Sequence, residues 1–536
     1  MSTVTREPTS GNEIDSRGPA IATLGSTLSE IIRKQSVILG DRSYLEHARE
    51  PGAVSFRDLD RVAEQWRVLF DGAHVAVGST VGLVISDPVD FAAAFLGSVA
   101  AGRWVAPLDP STPPSGPSGL RSAVERLQVD IVVADRPGPV GVDARWIELD
   151  ALDQLEPRTV TGPGATTPLY TDSGGVVLAS SGTTGPPKVI RLHQRRLLHT
   201  AHWISAHHGL TTNDRGFNPL PLFHINAEVV GLLSSLVAGS TLVLDDRFHR
   251  GEFWSLMAER DITWINAVPA IISILAEPAA DEVIPSGVRF IRSASAPLAV
   301  ATEERFEMNT GIPVLVTYGM TEAASQITAC PLGGVTKPGS VGLPVGVEVR
   351  VVHEDEPGDC PMEVSPGVVG QVEIRGPSVV DSYVGHEHRD RFHPDGWLRT
   401  GDLGHLDEDG FLYLDARSDD VINRGGEKVF PREIEEIVAG DRSVTAVAVV
   451  GEDHPVLGQV PVAYLVVREA DGPDHSNVVE EVTIRIQQVL EANLVRSKRP
   501  VSLNVVRALP AGPTGKVQRR TLKDSTVPVL YRRECR

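Results

Sequence analysis

Cysteine is scarce in this chain: Cys330, Cys360 and Cys535 are its only three, far apart in 536 residues. They form no CxxC pair and no disulfide framework, which excludes a small disulfide-stapled fold and fits a reducing, cytoplasmic compartment. Long apolar runs are missing as well. No stretch reaches the ~18 apolar residues of a membrane helix, and Met1 to Gly18 is polar without an apolar centre, so neither a membrane span nor a secretory signal is expected. Basic residues are outnumbered, 50 against 70 acidic, for a formal charge of -20. Nucleic acid and anionic membrane are therefore excluded as partners, because both reward a basic face. A small anionic ligand asks only for a local basic site.

Lysine is the rarer cation, 7 of the 50 basic residues, yet Lys188, Lys428 and Lys516 all fall inside glycine-rich segments. Chance placement of so few lysines is a poor explanation for that. The richest of these segments is Ser180-Ser181-Gly182-Thr183-Thr184-Gly185-Pro186-Pro187-Lys188, fed by the apolar run Val176 to Ala179. Glycines let backbone N–H groups converge on one point, while hydroxyls and an ammonium add donors and charge around it, which suits a triphosphate. It is not a Walker A loop, since prolines precede the lysine and Val189 follows it.

A chain this long exceeds one ordinary core, so two or more domains are expected. Residues 1–20 read as a flexible tail, and Pro110 to Ser118 and Glu156 to Gly164 as Pro/Gly loops. Short β-rich runs (Val81 to Ile85, Trp104 to Leu108, Ile131 to Ala134, Thr241 to Leu244, Thr263 to Val268, Val314 to Thr317) alternate with helical stretches such as Asp90 to Ala101. That βα order predicts an α/β fold with mainly parallel sheets. From about Gly370 the runs shorten (Gln371 to Arg375, Phe411 to Leu414), predicting a β-rich subdomain. After Arg417 a small mobile α+β unit follows: a helix opened by Pro431, strands at Val444 to Val450 and Val462 to Val467, and a helix near Val478 to Leu490. The domains are thus read as 21–417, a hinge at 418–420, and 421–536.

Further segments stand in a fixed order: Pro221-Leu222-Phe223-His224, Tyr318-Gly319-Met320-Thr321-Glu322, Trp397-Leu398-Arg399-Thr400-Gly401-Asp402, Arg417, Gly425-Gly426-Glu427-Lys428 and Gly515-Lys516. With the loop ending at Lys188, they resemble the adenylate-forming superfamily of acyl-CoA synthetases, adenylation domains and luciferase, acyl-CoA ligases above all. The resemblance covers nearly the whole chain. It implies an acyl-CoA ligase that activates a carboxylic acid as acyl-AMP with ATP and Mg²⁺ and then transfers the acyl group to coenzyme A.

The resemblance also implies residue roles. Ser181, Gly182, Thr183, Thr184, Gly185 and Lys188 would hold the ATP phosphates, with Thr184 among the catalytic residues. Glu322 would hold Mg²⁺, whose hard charge favours carboxylate oxygen, with Thr321 reaching the α-phosphate. Ser295, Ala296 and Pro297 would lie under adenine, in a turn where the family has glycines. Tyr318, with Gly319 and Met320, would cover the other face. Asp402 would accept the ribose hydroxyls and Arg417 would meet the ribose. Lys516 would bridge the attacking carboxylate and the α-phosphate. Asp419 would be the hinge, and Gly425, Gly426 and Lys428 would receive coenzyme A.

His224 resembles the gate between the acyl pocket and the thiol tunnel, and the pocket would be lined by His224, Asn226, Gly231, Asn266, Ala267, Ala296 and Gly319. With no evident Asp for an amino group and no evident arginine for a second carboxylate, a largely apolar, non-amino acid is expected. Alone, each of these residues has a plainer reading: a helix-start carboxylate for Glu322, a core histidine for His224, surface charges for Asp402, Arg417 and Lys516. Val189 departs from the family's glycine and stiffens the loop. His199, His202, His207 and His208 lack partners at ligand spacing and read as solvated. Three alternatives stand beside the ligase: an acyltransferase using pre-made acyl-AMP, an adenylating enzyme loading a carrier protein, and a non-catalytic scaffold. A homodimer is the oligomer considered.

Overall fold

The computed structural model describes residues 27–536 except 115, 117–118, 139–141, 143, 150–172, 181–187, 280, 354–360, 386–387, 469–474, 513–515, 525–526 and 536. The N-terminal tail, the Glu156 to Gly164 loop and the phosphate-loop residues Ser181, Gly182, Thr183, Thr184 and Gly185 thus lie outside the described residues.

Two largely parallel sheets carry the first half of the chain. One has six strands in the order Arg145–Glu148, Ile131–Ala134, Thr80–Val84, Trp104–Pro107, Gly175–Ser180 and Lys188–His193, parallel except for the last pair. The other has nine and runs from Leu343–Pro344 through Thr328–Ala329, Val314–Tyr318, Phe290–Ser293, Trp264–Ala267, Arg215–Asn218, Thr241–Leu244 and Ser43–His47 to Ala53–Ser55. Strands Thr80–Val84, Thr241–Leu244 and Trp264–Ala267 are buried along their whole length, because helices cover both faces of a parallel sheet. One such helix, Pro88–Ala100, starts from an Asp87 side-chain cap with proline in its first turn.

A four-stranded antiparallel sheet follows, Glu348–Val352, Gly370–Arg375, Leu398–Leu406 and Leu412–Arg417. Residues after Ile422 build a separate sheet around Gly458–Val467, with their own cores of Val449, Ala463, Leu465, Ile486 and Leu503 on one face and Ala448, Val462 and Leu522 on the other. The expected strands and helices are present, with shifted ends: the last long helix spans His475–Asn493 rather than Val478 to Leu490. Strands Ser502–Val506 and Val529–Glu534 complete this sheet and were not anticipated. No helix among the described residues is long and apolar enough to cross a membrane.

Candidate active site

Ser180 and Lys188, which flank the residues expected to hold phosphate, face each other in an antiparallel pair. Just beyond it, the Val189 carbonyl accepts a hydrogen bond from the Val384 amide at 2.9 Å. Lys188 Nζ lies 5.2 Å from the centre of the Tyr383 ring. The Tyr383 hydroxyl donates to Glu322 Oε1 at 2.8 Å, and Arg391 Nη1 stands 3.6 Å from the same oxygen. Burial and the neighbouring Arg391 lower the Lys188 pKa, while Glu322 opposes them. Lys188 and Glu322 thus share one small electrostatic field.

Glu322 is buried in a single 3-10 turn, Thr321–Ala323. Its hydrogen bond and ion pair both engage Oε1, so among the described residues Oε2 is left to meet a hard cation. The turn is tightly made. A Cβ on Gly319 would lie 1.4 Å from the Ser325 carbonyl oxygen, so only glycine fits there.

On the opposite side, Asp402 and Arg417 face each other across adjacent strands, and Tyr318 OH donates to Asp402 Oδ2. Asp402 is first among the influences raising the Arg417 pKa. Lys516 reaches this group from the small domain: burial and the Arg417 charge lower its pKa, and Asp402 and Asp420 act against them. Its side chain keeps an exposed face, so burial acts on it only in part. Arg519 Nη1 donates to Glu435 Oε1 at 2.6 Å, and its Nε is 3.4 Å from Asp420, tying the segment beside Asp419 to the small domain.

The loop after strand Phe290–Ser293 carries Ser295 at φ 74, a left-handed conformation that favours glycine. This is the physical counterpart of the turn in which small residues replace glycines, and it leaves Ser295 and Pro297 exposed with Ala296 half-buried. Asn226 Nδ2 donates to Ser295 Oγ at 3.4 Å, and Asn266 Nδ2 to Asn226 Oδ1 at 3.4 Å. Ala267 adjoins Asn266 on the same strand, and Gly231 stands over Asn218, where a Cβ would be 3.5 Å from the amide. His224 packs on Phe223 with ring centres 4.7 Å apart, its Nε2 is buried without a hydrogen bond, and burial lowers its pKa to about 4.

The structure therefore brings Lys188, Glu322, Tyr318, Asp402, Arg417 and Lys516 into one charged cluster, and it joins Asn226, Asn266 and Ser295 by hydrogen bonds, with His224 two residues before Asn226. Gly425 and Gly426, at φ 63 and 92, form the two-residue turn of hairpin Ile422–Arg424 and Glu427–Val429. Their hydrogen bonds, Gly425 N to Leu457 O and Gly426 N to Asn423 Oδ1, stay within the small domain. Lys428 follows on the second strand of that hairpin.

Three residues escaped the sequence reading. Tyr383 and Arg391 steady Glu322, and Arg292, fully buried, donates to Asn226 and Asn266 in the pocket. A buried arginine thus lies beside residues expected to line the acyl pocket, where none was evident from the sequence; its place in the short apolar strand Phe290–Ser293 conceals it. The histidines are also corrected. His208 is buried, burial lowers the pKa of all four and takes His207 to about 4, and His199 Nε2 lies 2.9 Å from the Gly346 carbonyl oxygen. They lie along or just after helix Gln194–His207, on its packed side rather than in solvent. None belongs to a metal-competent cluster among the described residues.

Clustered lysines and arginines around two carboxylates, Glu322 and Asp402, are a charge arrangement suited to a polyanionic ligand. Comparison agrees. Residues 36–384 match the AMP-binding enzyme family and residues 433–516 the AMP-binding enzyme C-terminal domain. A sulfoacetate–CoA ligase of Cupriavidus necator is 34% identical, covering 92% of this chain and 97% of that protein. An oxalate–CoA ligase of Arabidopsis thaliana is 31% identical, over 92% and 97%. Among solved structures, ATP-bound MatB from Rhodopseudomonas palustris superposes with TM-score 0.80 at 25% identity, covering 93% and 98%. The chain belongs to the AMP-binding enzyme family. It is an AMP-forming acid–thiol ligase, which activates a carboxylic acid as acyl-AMP with ATP and Mg²⁺ and passes the acyl group to coenzyme A.

Proposed function

We propose that the two half-reactions are divided among the residues of the charged cluster as follows. In the first, a carboxylate oxygen of the acid bonds to the α-phosphorus of ATP while the bond to the β-phosphate breaks and pyrophosphate leaves. Lys516 offsets the charge that gathers between carboxylate and α-phosphate, and Lys188, with Ser181, Thr183 and Thr184, steadies the departing pyrophosphate. Asp402 accepts the ribose hydroxyls, Arg417 meets the ribose, and Tyr318 covers adenine opposite Ala296. Bound at Glu322, Mg²⁺ would supply charge neutralisation on phosphate oxygens.

In the second half-reaction the thiol sulfur of coenzyme A bonds to the acyl carbon and AMP leaves. Asp419 is the hinge, and rotation of residues 421–536 against 21–417 withdraws Lys516 and brings Gly425, Gly426 and Lys428 to the cluster. His224 gates the thiol's approach. We place this chemistry in the cytoplasm, where ATP and coenzyme A are held, and take a homodimer as the assembly to test.

The observation that supports this assignment is the facing pair Asp402 and Arg417, 3.5 Å apart, with the Tyr318 hydroxyl on Asp402 and Lys516 close enough to respond to both charges. The experiment supplies ATP, Mg²⁺ and coenzyme A with an acid panel, and pre-made acyl-adenylates in parallel. Acid-dependent ATP–pyrophosphate exchange that is lost in Lys516→Ala, with thioester formation from acyl-AMP kept, is the expected result. Exchange that survives the substitution overturns the role of Lys516.

A further inference from the structure

Three arginines are buried in the described part of the chain. Arg103, 2% exposed, pairs with Asp71 at 3.3 Å, and Arg350, 8% exposed, pairs with Glu373 at 2.8 Å. Arg292, 1% exposed, has no carboxylate within ion-pair distance among the described residues. Its partners are three neutral amide oxygens: Asn226 Oδ1 at 3.0 Å, Asn266 Oδ1 at 3.3 Å and Gln326 Oε1 at 3.3 Å. A buried cation without a counter-charge is costly, and neutral acceptors repay only part of its lost hydration. Burial lowers the Arg292 pKa to about 9, which still leaves it charged at neutral pH.

Donors beside it are unmet. Arg292 Nε and Gln326 Nε2 are both buried without a hydrogen-bond acceptor, although Arg292 Nη2 and Gln326 Oε1 are bonded to each other. The missing groups are therefore acceptors, and the missing charge is negative. Location narrows the source. The Asn226 amide bonds Arg292 through its oxygen and Ser295 Oγ through its nitrogen, so a single carboxamide separates the guanidinium from the nucleotide-side turn.

Resting on the ligase reading above, we propose that Arg292 anchors a second anionic group of the acid, so that the substrate is a short carboxylic acid bearing a carboxylate or sulfonate at its far end. The reacting carboxylate faces Ser295 and the α-phosphate. The second oxyanion accepts from Arg292 and Gln326 and supplies the counter-charge that the fold omits. A long apolar tail would leave the guanidinium buried and unpaired.

The test measures kcat/KM in ATP–pyrophosphate exchange for chain-matched butyrate, succinate and 3-sulfopropionate, with hexanoate as an apolar control. The wild-type enzyme should favour succinate or 3-sulfopropionate over butyrate by more than about 100-fold, and by up to about 10⁴- to 10⁵-fold, the scale on which a site built to hydrogen-bond a polar group rejects an analogue lacking it. Which of the two wins distinguishes carboxylate from sulfonate. Arg292→Met should collapse that preference, lowering kcat/KM for succinate and 3-sulfopropionate far more than for butyrate, while Arg292→Lys, which keeps the charge, should retain part of it. A wild-type preference for butyrate or hexanoate overturns the proposal, as does an Arg292→Met enzyme that slows every acid equally with the ranking intact. Should Arg292→Met not fold, the wild-type ranking decides alone. Butyryl- and succinyl-adenylate with coenzyme A read the same preference without adenylation, so failure of the first half-reaction is separable from failure of Arg292.

Discussion

Asp402 and Arg417 sit directly opposite each other on neighbouring antiparallel strands, with Arg417 Nε 3.5 Å from Asp402 Oδ1. Sheet register alone fixes this pair, in the way that facing positions on adjacent strands hold side chains at contact distance. The remaining Asp402 oxygen takes the Tyr318 hydroxyl, and Arg417 Nε is buried without a hydrogen bond. A ribose edge placed there would find an acceptor, a donor and a ring already held in position.

Removal of the carboxylate should therefore be felt in nucleotide binding. Asp402→Ala is expected to raise KM for ATP and weaken AMP binding about 10- to 100-fold, the range for a lost hydrogen bond to a charged group. Calorimetric titration of AMP and steady-state exchange kinetics read this directly. Unchanged AMP affinity would remove Asp402 from the ribose site.

Lys516 makes a pH prediction with a definite sign. It must be cationic to offset charge at the α-phosphate, and burial followed by the Arg417 charge lowers its pKa below that of an ordinary lysine. As pH rises the ammonium is lost earlier than from a free lysine, so adenylation should decline on the alkaline side below the usual lysine range. Thioester formation from pre-made acyl-AMP should not follow it. Lys516→Ala should slow adenylation by about 100- to 1000-fold, comparable to deleting one transition-state donor, and abolish that alkaline limb.

The motifs made the gathering of these residues legible because each motif is short and local: Tyr318 ends strand Val314–Tyr318 with Glu322 in the turn just after it, and Asp402 and Arg417 lie on consecutive strands of one sheet. Parallel strands were legible from continuous apolar runs, and the Pro431 helix from its opening proline. What stayed hidden depends on register and packing. Arg292 looks like a surface charge in Phe290-Ile291-Arg292-Ser293 until two parallel neighbours and Asn226 close over it. His208 likewise reads as solvated until its ring meets Phe290 at 5.6 Å, edge to face. Tyr383 and Arg391 reach Glu322 from 61 and 69 positions away in sequence, a separation at which no local pattern operates.

His224 is neutral throughout the physiological range, since burial takes its pKa to about 4. The thioester half-reaction should accordingly show no inflection attributable to His224 between about pH 5.5 and 8, the interval in which an unperturbed histidine titrates. His224→Ala should disturb thioester formation more than pyrophosphate exchange, because a gate on the thiol's approach acts only in the second half-reaction. Single-turnover measurement of each half-reaction separates the two. A larger loss in exchange would contradict a gating role.

Glu228 offers the clearest stability test. It lies in a π-helical turn, Ala227–Leu233, fully buried, with neither carboxylate oxygen hydrogen bonded. Burial raises its pKa well above the usual value, so the folded protein holds this carboxyl protonated. In the unfolded chain the same group ionises near pH 4.3. Its stabilising contribution is therefore complete below that pH and is lost progressively as pH rises toward the folded value, by up to about 1.4 kcal/mol per pH unit. Glu228→Gln keeps the shape without the ionisation, so its stability relative to wild type should grow from near zero at pH 4.5 to about 1–3 kcal/mol at pH 8, the scale for a buried polar group. Denaturant titrations of both proteins across that interval measure the divergence. A constant difference between them would mean that Glu228 is already ionised in the folded state.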